Sequence, residues 1–272
     1  MAFGFLDSAG SWLIGFIHYG RQLAVMVYLA FRAAFVGQSQ GLRTVFGVIS
    51  AQIYFTGWQA MPLMTVLALA SGVVVILQSS ANLSLLGGTE MIGNLLVAII
   101  VRELAPLMTA LVVIARSGTA VASELGNMRV NREIEALEAM GINPNSYIIF
   151  PRVIGGLLSV VTLAFYFNAI ALGGGFLVSR LIHEMPVNLY VDSLTRAFTV
   201  EDVYLFLLKN AVGGTMIFII SSFHGLQVGR SPSEVPQMTT KAVMNSIIFV
   251  TFFNMSVTIL FYLGQLMKLG II

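Results

Sequence analysis

Three charged side chains lie inside otherwise apolar stretches, and they are the first candidates for chemistry in this sequence. Arg102 and Glu103 are neighbours in the stretch 91–115, and Lys209 lies in the stretch 203–223. An ionisable residue at the centre of a bilayer costs at least ~2.5–3.5 kcal/mol, so Glu103 and Lys209 are not expected to face lipid tails. Helix neighbours point about 100° apart, which favours a Glu103–Lys209 pair over an Arg102–Glu103 pair. Such a pair either fixes the helix register or lines a cavity that meets a polar head group.

Residues that several common kinds of catalytic and metal site require are missing. The chain has no cysteine, which excludes thiolate catalysis and Cys-ligated zinc or iron–sulfur sites. The three histidines, His18, His183 and His224, are too scattered to suggest a metal centre. No P-loop or HExxH motif occurs, so we predict a non-catalytic chain that binds no cofactor. A net charge of +2 does not indicate nucleic-acid binding.

The elements that must position these charges are membrane-spanning helices. Of the 272 residues, 57% are hydrophobic and 10% are charged, whereas a soluble domain is about 25% charged. This composition excludes a soluble enzyme, a disordered tail and a collagen-like fibre. A transmembrane helix needs roughly 20 mainly apolar residues. Such helices are predicted at about 63–80, 91–115, 147–180, 203–223 and 242–266.

The N-terminal stretch at about 5–40 is apolar but interrupted by arginines. Arg21 and Arg32 are 11 residues apart, a spacing that returns to nearly the same helix face, and two glycines are expected to end the helix before Arg43. The opposite face carries Trp12, Phe16, Leu23, Val27 and Phe31. This pattern favours a helix lying in the membrane interface. The alternative is a poor transmembrane span with arginines at its ends.

Basic residues predict the orientation of the spans. With a cytoplasmic N-terminus and five crossings, the inner regions hold Arg21, Arg32, Arg43, Arg116, Arg129, Arg132, Arg152, Arg230 and Lys241. The outer regions hold only Arg180, Arg196 and Lys268. Because basic residues concentrate on the cytoplasmic side, we expect the N-terminus inside and the C-terminus outside.

The loop between the second and third spans is the most polar part of the chain, and its centre at 123–141 has a helical pattern. One apolar face is predicted by spacings of 4, 3 and 3 between Val130, Ile134, Leu137 and Met140. Gly141 is placed as a C-cap glycine. The helix either packs on its own protein as a solvated loop or docks a cytoplasmic partner in a helix-in-groove arrangement.

Two further patterns predict local structure. Thr199, followed three residues later by Asp202, predicts a capping box at the start of the fourth span. Small residues let helix backbones approach closely, so their pairs and runs predict packing faces. They are Ser71-Gly72, Gly155-Gly156, Gly173-Gly174-Gly175 and Gly213-Gly214.

A series of motifs occurs in order within residues 101–152. They are Arg102-Glu103-Leu104-Ala105-Pro106, Ala115-Arg116-x-Gly118, Ser123-Glu124-Leu125-Gly126-x-Met128, Glu133-Ile134-Glu135-Ala136-Leu137, Met140-Gly141 and Pro151-Arg152. The series closely resembles the signature of the MlaE/YrbE family of ABC-transporter permeases, and a weaker similarity extends over about 45–265. Ala105 replaces a usual glycine, Glu135 replaces a usual aspartate, and residues 231–236 replace a glycine-rich loop.

The resemblance implies a single permease domain over 1–272. Its expected fold is an all-α integral membrane protein with an N-terminal interfacial helix, about five transmembrane helices and a cytoplasmic coupling helix. The implied function is ATP-driven movement of phospholipids between the inner and outer membranes, which maintains outer-membrane lipid asymmetry. The implied assembly is a homodimer in the bacterial inner membrane with an MlaF-like ATPase that binds ATP and Mg, an MlaD-like MCE protein and an MlaB-like STAS protein.

The resemblance also implies roles for individual residues. Arg102, Glu103 and Lys209 would lie at a lipid cavity. Coupling to the ATPase would involve Glu124, Arg129, Arg132, Glu133, Ile134, Glu135, Leu137, Glu138 and Met140. One alternative is an ion-coupled secondary transporter of a hydrophobic or anionic solute that uses Glu103 and Lys209. Another is a membrane scaffold that only anchors an ATPase and an envelope protein.

Overall fold

The protein is built from α-helices. The computed structural model describes residues 15, 17–32, 42–84, 92–183 and 186–268, and this part of the chain contains no β-strand. The helices, numbered here in chain order, are α1 (17–32), α2 (Leu42–Thr56), α3 (Met61–Ser84), α4 (Gly93–Val130), α5 (Glu133–Ala139), α6 (Phe150–His183), α7 (Val187–Ala197), α8 (Val200–Leu226) and α9 (Glu234–Lys268). The predicted all-α membrane fold is confirmed.

Five helical stretches of the described chain are long and apolar enough to cross a membrane. They are Val45–Ser79, Gly93–Val130, Asn145–Leu181, Val200–Leu226 and Glu234–Lys268. Most run beyond the predicted bounds, because hydropathy detects the apolar centre of a helix whereas its backbone hydrogen bonding continues into polar ends. The protein is a multi-pass membrane protein.

The first span is interrupted in its N-terminal half. Helix α2 ends at Thr56, a single 3-10 turn follows at Trp58–Ala60, and α3 begins at Met61. The predicted start of this span near residue 63 misses α2. Helix α2 is apolar and packs against α6, but Gly57 and the 3-10 turn at Trp58–Ala60 separate it from the continuous apolar run of α3.

Helix α4 is continuous but irregular. Its hydrogen bonding is π-helical at Val97–Leu104 and again at Ile114–Gly118. It continues to Val130, well beyond the predicted end of the second span near residue 115. π-Helical turns are rare in proteins, and those that occur are often found at functional sites. The first of the two contains the neighbouring charges Arg102 and Glu103.

Small residues set the closest contacts between spans. Gly72 of α3 lies against the backbone of Ala171 in α6, so that a Cβ at this glycine would overlap its neighbour. The predicted packing role is confirmed here and at Gly174, which packs on α3. An added Cβ at Gly173 or Gly213 would meet no atom within 4 Å, so the close contacts of these two runs are made by Gly174, Gly175 and Gly214.

Replacing Gly72 with valine is expected to destabilise the protein by about 1–3 kcal/mol, because α3 and α6 must separate to admit the side chain. Gly173→Val is the matched control, since the same change there meets open space. Thermal unfolding in detergent should shift for Gly72→Val and not for the control. Equal unfolding temperatures for the two variants would contradict the packing role of Gly72.

Helix α1 contacts the bundle on one side of the membrane at both of its ends. Near its start, the Tyr19 hydroxyl lies 3.2 Å from His224 Nε2 at the end of α8 and accepts a hydrogen bond from Asn245 of α9. Near its end, the ring of Phe31 packs edge-on against Phe150, the first residue of α6. The predicted orientation places both contact points on the cytoplasmic side. These contacts favour an interfacial helix over a sixth crossing.

Helix α1 has two apolar faces. One is buried against the bundle and contains Leu23, Met26 and Ala30. The second is exposed and accessible to lipid, and it contains Ile17, Val25, Tyr28 and Leu29. Arg21 and Arg32 are exposed as well. Other parts of the predicted segment lie outside the described residues, among them Trp12, Phe16 and the side chain of Arg43.

The short helix α7 is anchored to α6 by a tyrosine. The Tyr190 hydroxyl donates to the carbonyl of Leu172 at 2.8 Å, and its ring packs on Phe176. Burial raises the pKa of Tyr190 to about 12, so the hydroxyl stays protonated and the hydrogen bond persists at physiological pH.

Candidate functional site

The charges predicted inside the spans form one polar cluster where α4, α8 and α9 meet. Lys209 Nζ donates to Glu103 Oε1 at 3.2 Å, to Thr258 Oγ1 at 2.8 Å and to the backbone carbonyl of Arg102 at 2.7 Å. Thr258 Oγ1 also lies 2.9 Å from Glu103 Oε1. The predicted Glu103–Lys209 pair is therefore present, and the ammonium group has an acceptor for each of its three protons.

Arg102 does not pair with Glu103, as their positions on the helix predict. Its Nε donates to Asp202 Oδ1 at 2.6 Å, and its guanidinium lies 5.1 Å from the ring centroid of Phe261. Asp202 also completes the predicted capping box: Thr199 Oγ1 accepts from the Asp202 backbone N–H, and the Asp202 carboxylate accepts from the Thr199 backbone N–H. The capping box is confirmed, and it holds the carboxylate in front of Arg102.

The direction of the helices explains why these residues meet. Helices α4 and α8 run parallel: Arg102 contacts Asp202 near their starts, and Ala122 contacts Gly225 near their ends. Helix α9 runs antiparallel to α8 and brings Thr258 to the same level. Residues more than 100 positions apart are thereby assembled at one depth.

The side chains of the cluster differ in how far they are exposed. The Lys209 side chain is fully buried, whereas that of Glu103 is 33% exposed and that of Arg102 is 13% exposed. Because Lys209 is saturated by protein acceptors, a polar ligand that approached the cluster would meet Glu103 and Arg102 first. The contact of these three residues with a lipid head group stays a prediction.

Replacing Asp202 with asparagine is expected to lower the unfolding free energy by about 2 kcal/mol, because the change removes an ion pair to the nearly buried Arg102 and weakens a helix cap. The control is Asp192→Asn, whose exposed ion pair with Arg196 is worth roughly 0–1 kcal/mol. Chemical denaturation in detergent should separate the two variants. Equal losses would contradict a structural role for the Arg102–Asp202 pair.

The segment predicted to couple to a partner folds as the end of α4, a sharp turn and the short helix α5. Arg132 has a left-handed backbone with φ of 58°, which separates the two helices. Val130 therefore belongs to α4, and the prediction that it shares one helix face with Ile134, Leu137 and Met140 is wrong. The side-chain spacing gave no sign of the break, because no glycine or proline marks it.

Helix α5 is fixed firmly to the bundle. Ile134 is buried and Leu137 is half-buried against the core. As predicted, the helix is capped by Gly141, which has φ of 76°. The Gly141 N–H donates to the carbonyl of Glu138, and the Ile142 N–H donates to that of Leu137, which is a Schellman motif.

Most of the predicted coupling residues lie on the accessible surface of this region. The exposed ones are Glu124, Arg132, Glu133, Glu135, Glu138 and Met140. Arg129 forms a 2.8 Å ion pair with Glu135, which links α4 to α5. Glu124 lies apart from α5 and accepts from Arg152 of α6 at 2.7 Å. The surface of α5 is therefore mainly acidic.

Arg116 is a further candidate that the sequence patterns did not place in a site. Its Nη1 donates to the carbonyl of Phe55 at 2.8 Å, and its Nη2 donates to Gln59 Oε1 at 2.6 Å. Its guanidinium also lies 4.8 Å from the ring centroid of Phe55. Arg116 thus joins the interruption of the first span to the inner π-helical segment of α4. The available signal was an arginine after an apolar stretch, which does not reveal partners in another span.

Comparison with known proteins agrees with this architecture. The sequence profile of the family described as "Permease MlaE" matches residues 49–260. A "Probable ABC transporter permease protein" of Rickettsia bellii is 31% identical over 217 residues, which cover 80% of this chain and 84% of the relative. A protein of the same description from Synechocystis sp. is 31% identical over 221 residues, covering 80% and 81%.

A plant protein is also similar. "Protein TRIGALACTOSYLDIACYLGLYCEROL 1, chloroplastic" of Arabidopsis thaliana is 28% identical over 213 residues, which cover 78% of this chain and 61% of the relative. The family match includes both the charged cluster and the segment 123–141. The chain therefore belongs to the MlaE family of ABC-transporter permeases.

Proposed function

We propose that this permease moves phospholipids between the inner and outer membranes and so maintains the lipid asymmetry of the outer membrane. An ABC permease works with an ATPase, and this chain carries no nucleotide-binding motif of its own. The observation that carries the proposal is the fixed position of α5, which presents acidic side chains while its apolar side is anchored on the bundle.

Helix α5 has the contacts needed to transmit a movement of an ATPase to the spans. Ile134 and Leu137 hold it against the spans, and the Arg129–Glu135 ion pair links it to α4. A displacement of α5 would therefore move α4 with it. Glu138 and Met140 are exposed for contact with the ATPase, in a helix-in-groove arrangement.

Two observations support a diacyl lipid with a polar head group as the transported compound. Glu103 and Arg102 offer partly exposed charges inside the spans, where ionisable residues commonly mark the path of a substrate. The Arabidopsis relative carries the name of a diacylglycerol lipid. A lipid with a polar head group and two acyl chains would match a charged cluster surrounded by apolar helices.

We further propose a homodimer in the bacterial inner membrane, with a cytoplasmic N-terminus and a periplasmic C-terminus. Two MlaF-like ATPases would bind ATP and Mg, an MlaB-like STAS protein would bind the ATPase, and an MlaD-like MCE protein would cover the outer face. Closure of the ATPases would push on both α5 helices, and the spans would shift between two states that differ in their contacts with lipid.

Native mass spectrometry of the complex purified in mild detergent tests the proposal. The expected result is two copies of this chain together with the ATPase and bound phospholipid. A chain that purifies without an ATPase, and transports its solute when only a proton gradient is supplied, would contradict it. That result would support the ion-coupled alternative, which a Glu103–Lys209 pair inside the spans favours.

A further inference from the structure

A cleft lies between α2 and the inner half of α4, away from the charged cluster at Lys209. Its volume is about 700 Å³, and an adjoining cavity has a volume of about 420 Å³. The two share Val48, Glu124, Asn127 and Arg152 in their linings.

The lining changes from polar to apolar along the cleft. The end nearer the cytoplasm is formed by Glu124, Asn127 and Arg152. The deeper end is formed by Ala51, Phe55, Ala120 and Val121, together with Gln52, whose amide donates to Thr56. Because a helix rises 1.5 Å per residue, Ala120 at the apolar end and Asn127 at the polar end are about 10 Å apart along α4. This order matches a lipid of the cytoplasmic leaflet, whose head group faces the cytoplasm.

Arg152 has an unused hydrogen-bond donor at the polar end. The residue is only 9% exposed, and its Nη2 donates to Glu124 Oε1. Its Nη1 has no hydrogen-bond partner among the residues that the structure describes. A buried donor without an acceptor is unfavourable, and the forked guanidinium group fits the oxygens of a phosphate. The free donor therefore points to an anionic oxygen ligand.

Acidic residues beside Arg152 restrict the ligand further. Glu124 is exposed beyond its contact with Arg152, and Glu133 lines the adjoining cavity. These carboxylates would repel a head group with net negative charge and attract an ammonium group close to the phosphate. A zwitterionic phospholipid with a primary amine supplies both charges.

We propose that this cleft binds a phosphatidylethanolamine-type lipid of the cytoplasmic leaflet. Its phosphate would lie on Arg152, its ammonium group near Glu124 and Glu133, and one acyl chain along Ala51 and Phe55. The inference goes beyond the proposed function, because the site would be occupied whether or not the lipid is transported.

Photocrosslinking of the purified chain tests the site. The protein is placed in phosphatidylglycerol nanodiscs that contain a phosphatidylethanolamine analogue with a diazirine in one acyl chain, and labelled peptides are identified by mass spectrometry. We expect labelling of α2 between Ala51 and Phe55. A diacylglycerol analogue, which has neither phosphate nor amine, should label this segment about tenfold less, because it makes no charge-assisted hydrogen bond.

Two variants perturb the cleft in independent ways. An added Cβ at Gly47 meets no atom within 4 Å, so Gly47→Leu should fill open space and exclude the lipid. Arg152→Gln removes the forked donor. Each change should lower labelling by about tenfold. Gly264→Leu is the matched control, since this exposed glycine of α9 also has open space around it, and labelling should stay unchanged.

Two outcomes would overturn the inference. One is equal labelling by the diacylglycerol analogue, and the other is unchanged labelling in both Gly47→Leu and Arg152→Gln. If variants with unchanged labelling no longer co-purify with the ATPase, the cleft belongs to the ATPase interface instead. Labelling is measured without ATP, so its failure would leave the proposed transport function standing.

Discussion

Replacing Lys209 with methionine is expected to destabilise the protein by about 2 kcal/mol. Removing one partner of a buried ion pair usually costs roughly 3–5 kcal/mol, because the remaining charge is left without compensation. The smaller value is expected here because the Glu103 side chain is partly exposed and keeps its contact with Thr258. Chemical denaturation of the purified protein in detergent gives the measurement.

The double variant Glu103→Gln/Lys209→Met distinguishes an unpaired charge from lost packing. If the cost comes from the isolated carboxylate, removing that carboxylate should recover more than half of the lost stability. Lys268→Met serves as the control, because its ion pair with Glu201 is exposed on both sides. A double variant no more stable than Lys209→Met would contradict the electrostatic explanation.

Replacing Glu138 with lysine is expected to weaken binding of the ATPase by about tenfold, while the protein remains inserted in the membrane. Glu138 lies on the exposed acidic surface of α5 and forms no ion pair among the described residues. Charge reversal there would place a lysine against a surface that is complementary to an acid. Co-purification of the ATPase at several salt concentrations measures the effect.

Two further variants make the interpretation specific. Glu138→Gln should have a smaller effect than Glu138→Lys, because it removes an attraction without adding a repulsion. Glu201→Lys reverses an exposed acidic residue in α8, at the opposite end of the bundle, and should leave ATPase recovery normal. Normal recovery with Glu138→Lys as well would remove α5 from the ATPase interface.

The sequence was sufficient to predict the spans and the central ion pair. A long apolar stretch has few ways to satisfy its backbone other than a membrane helix. A charge such as Glu103 or Lys209 inside such a stretch has few ways to avoid lipid other than a partner of opposite sign. The capping box at Thr199 was predictable for a different reason, because it depends only on two residues three positions apart in the sequence.

Contacts between distant polar residues were not predictable in this way. Thr258 is neutral and fits any helix, so nothing in its neighbourhood indicates that it contacts Glu103 and Lys209. Asp202 was interpreted only as a cap, although it also accepts from Arg102. The turn at Arg132 depends on how α5 packs on the spans, which side-chain spacing does not encode.

The irregular winding of α4 has a consequence for how force would travel through the protein. From Val130 to Glu103 the helix spans 27 residues, or about 40 Å of rise. A π-helical turn accommodates one residue more than a regular α-helical turn. If the inner turn at Ile114–Gly118 tightened, the part of α4 beyond it would rotate by about 100°. A displacement of α4 at its Val130 end would then reach Glu103 as a rotation of the helix about its axis. This rotation would change which side chains of α4 face α8, with little change in the length of α4.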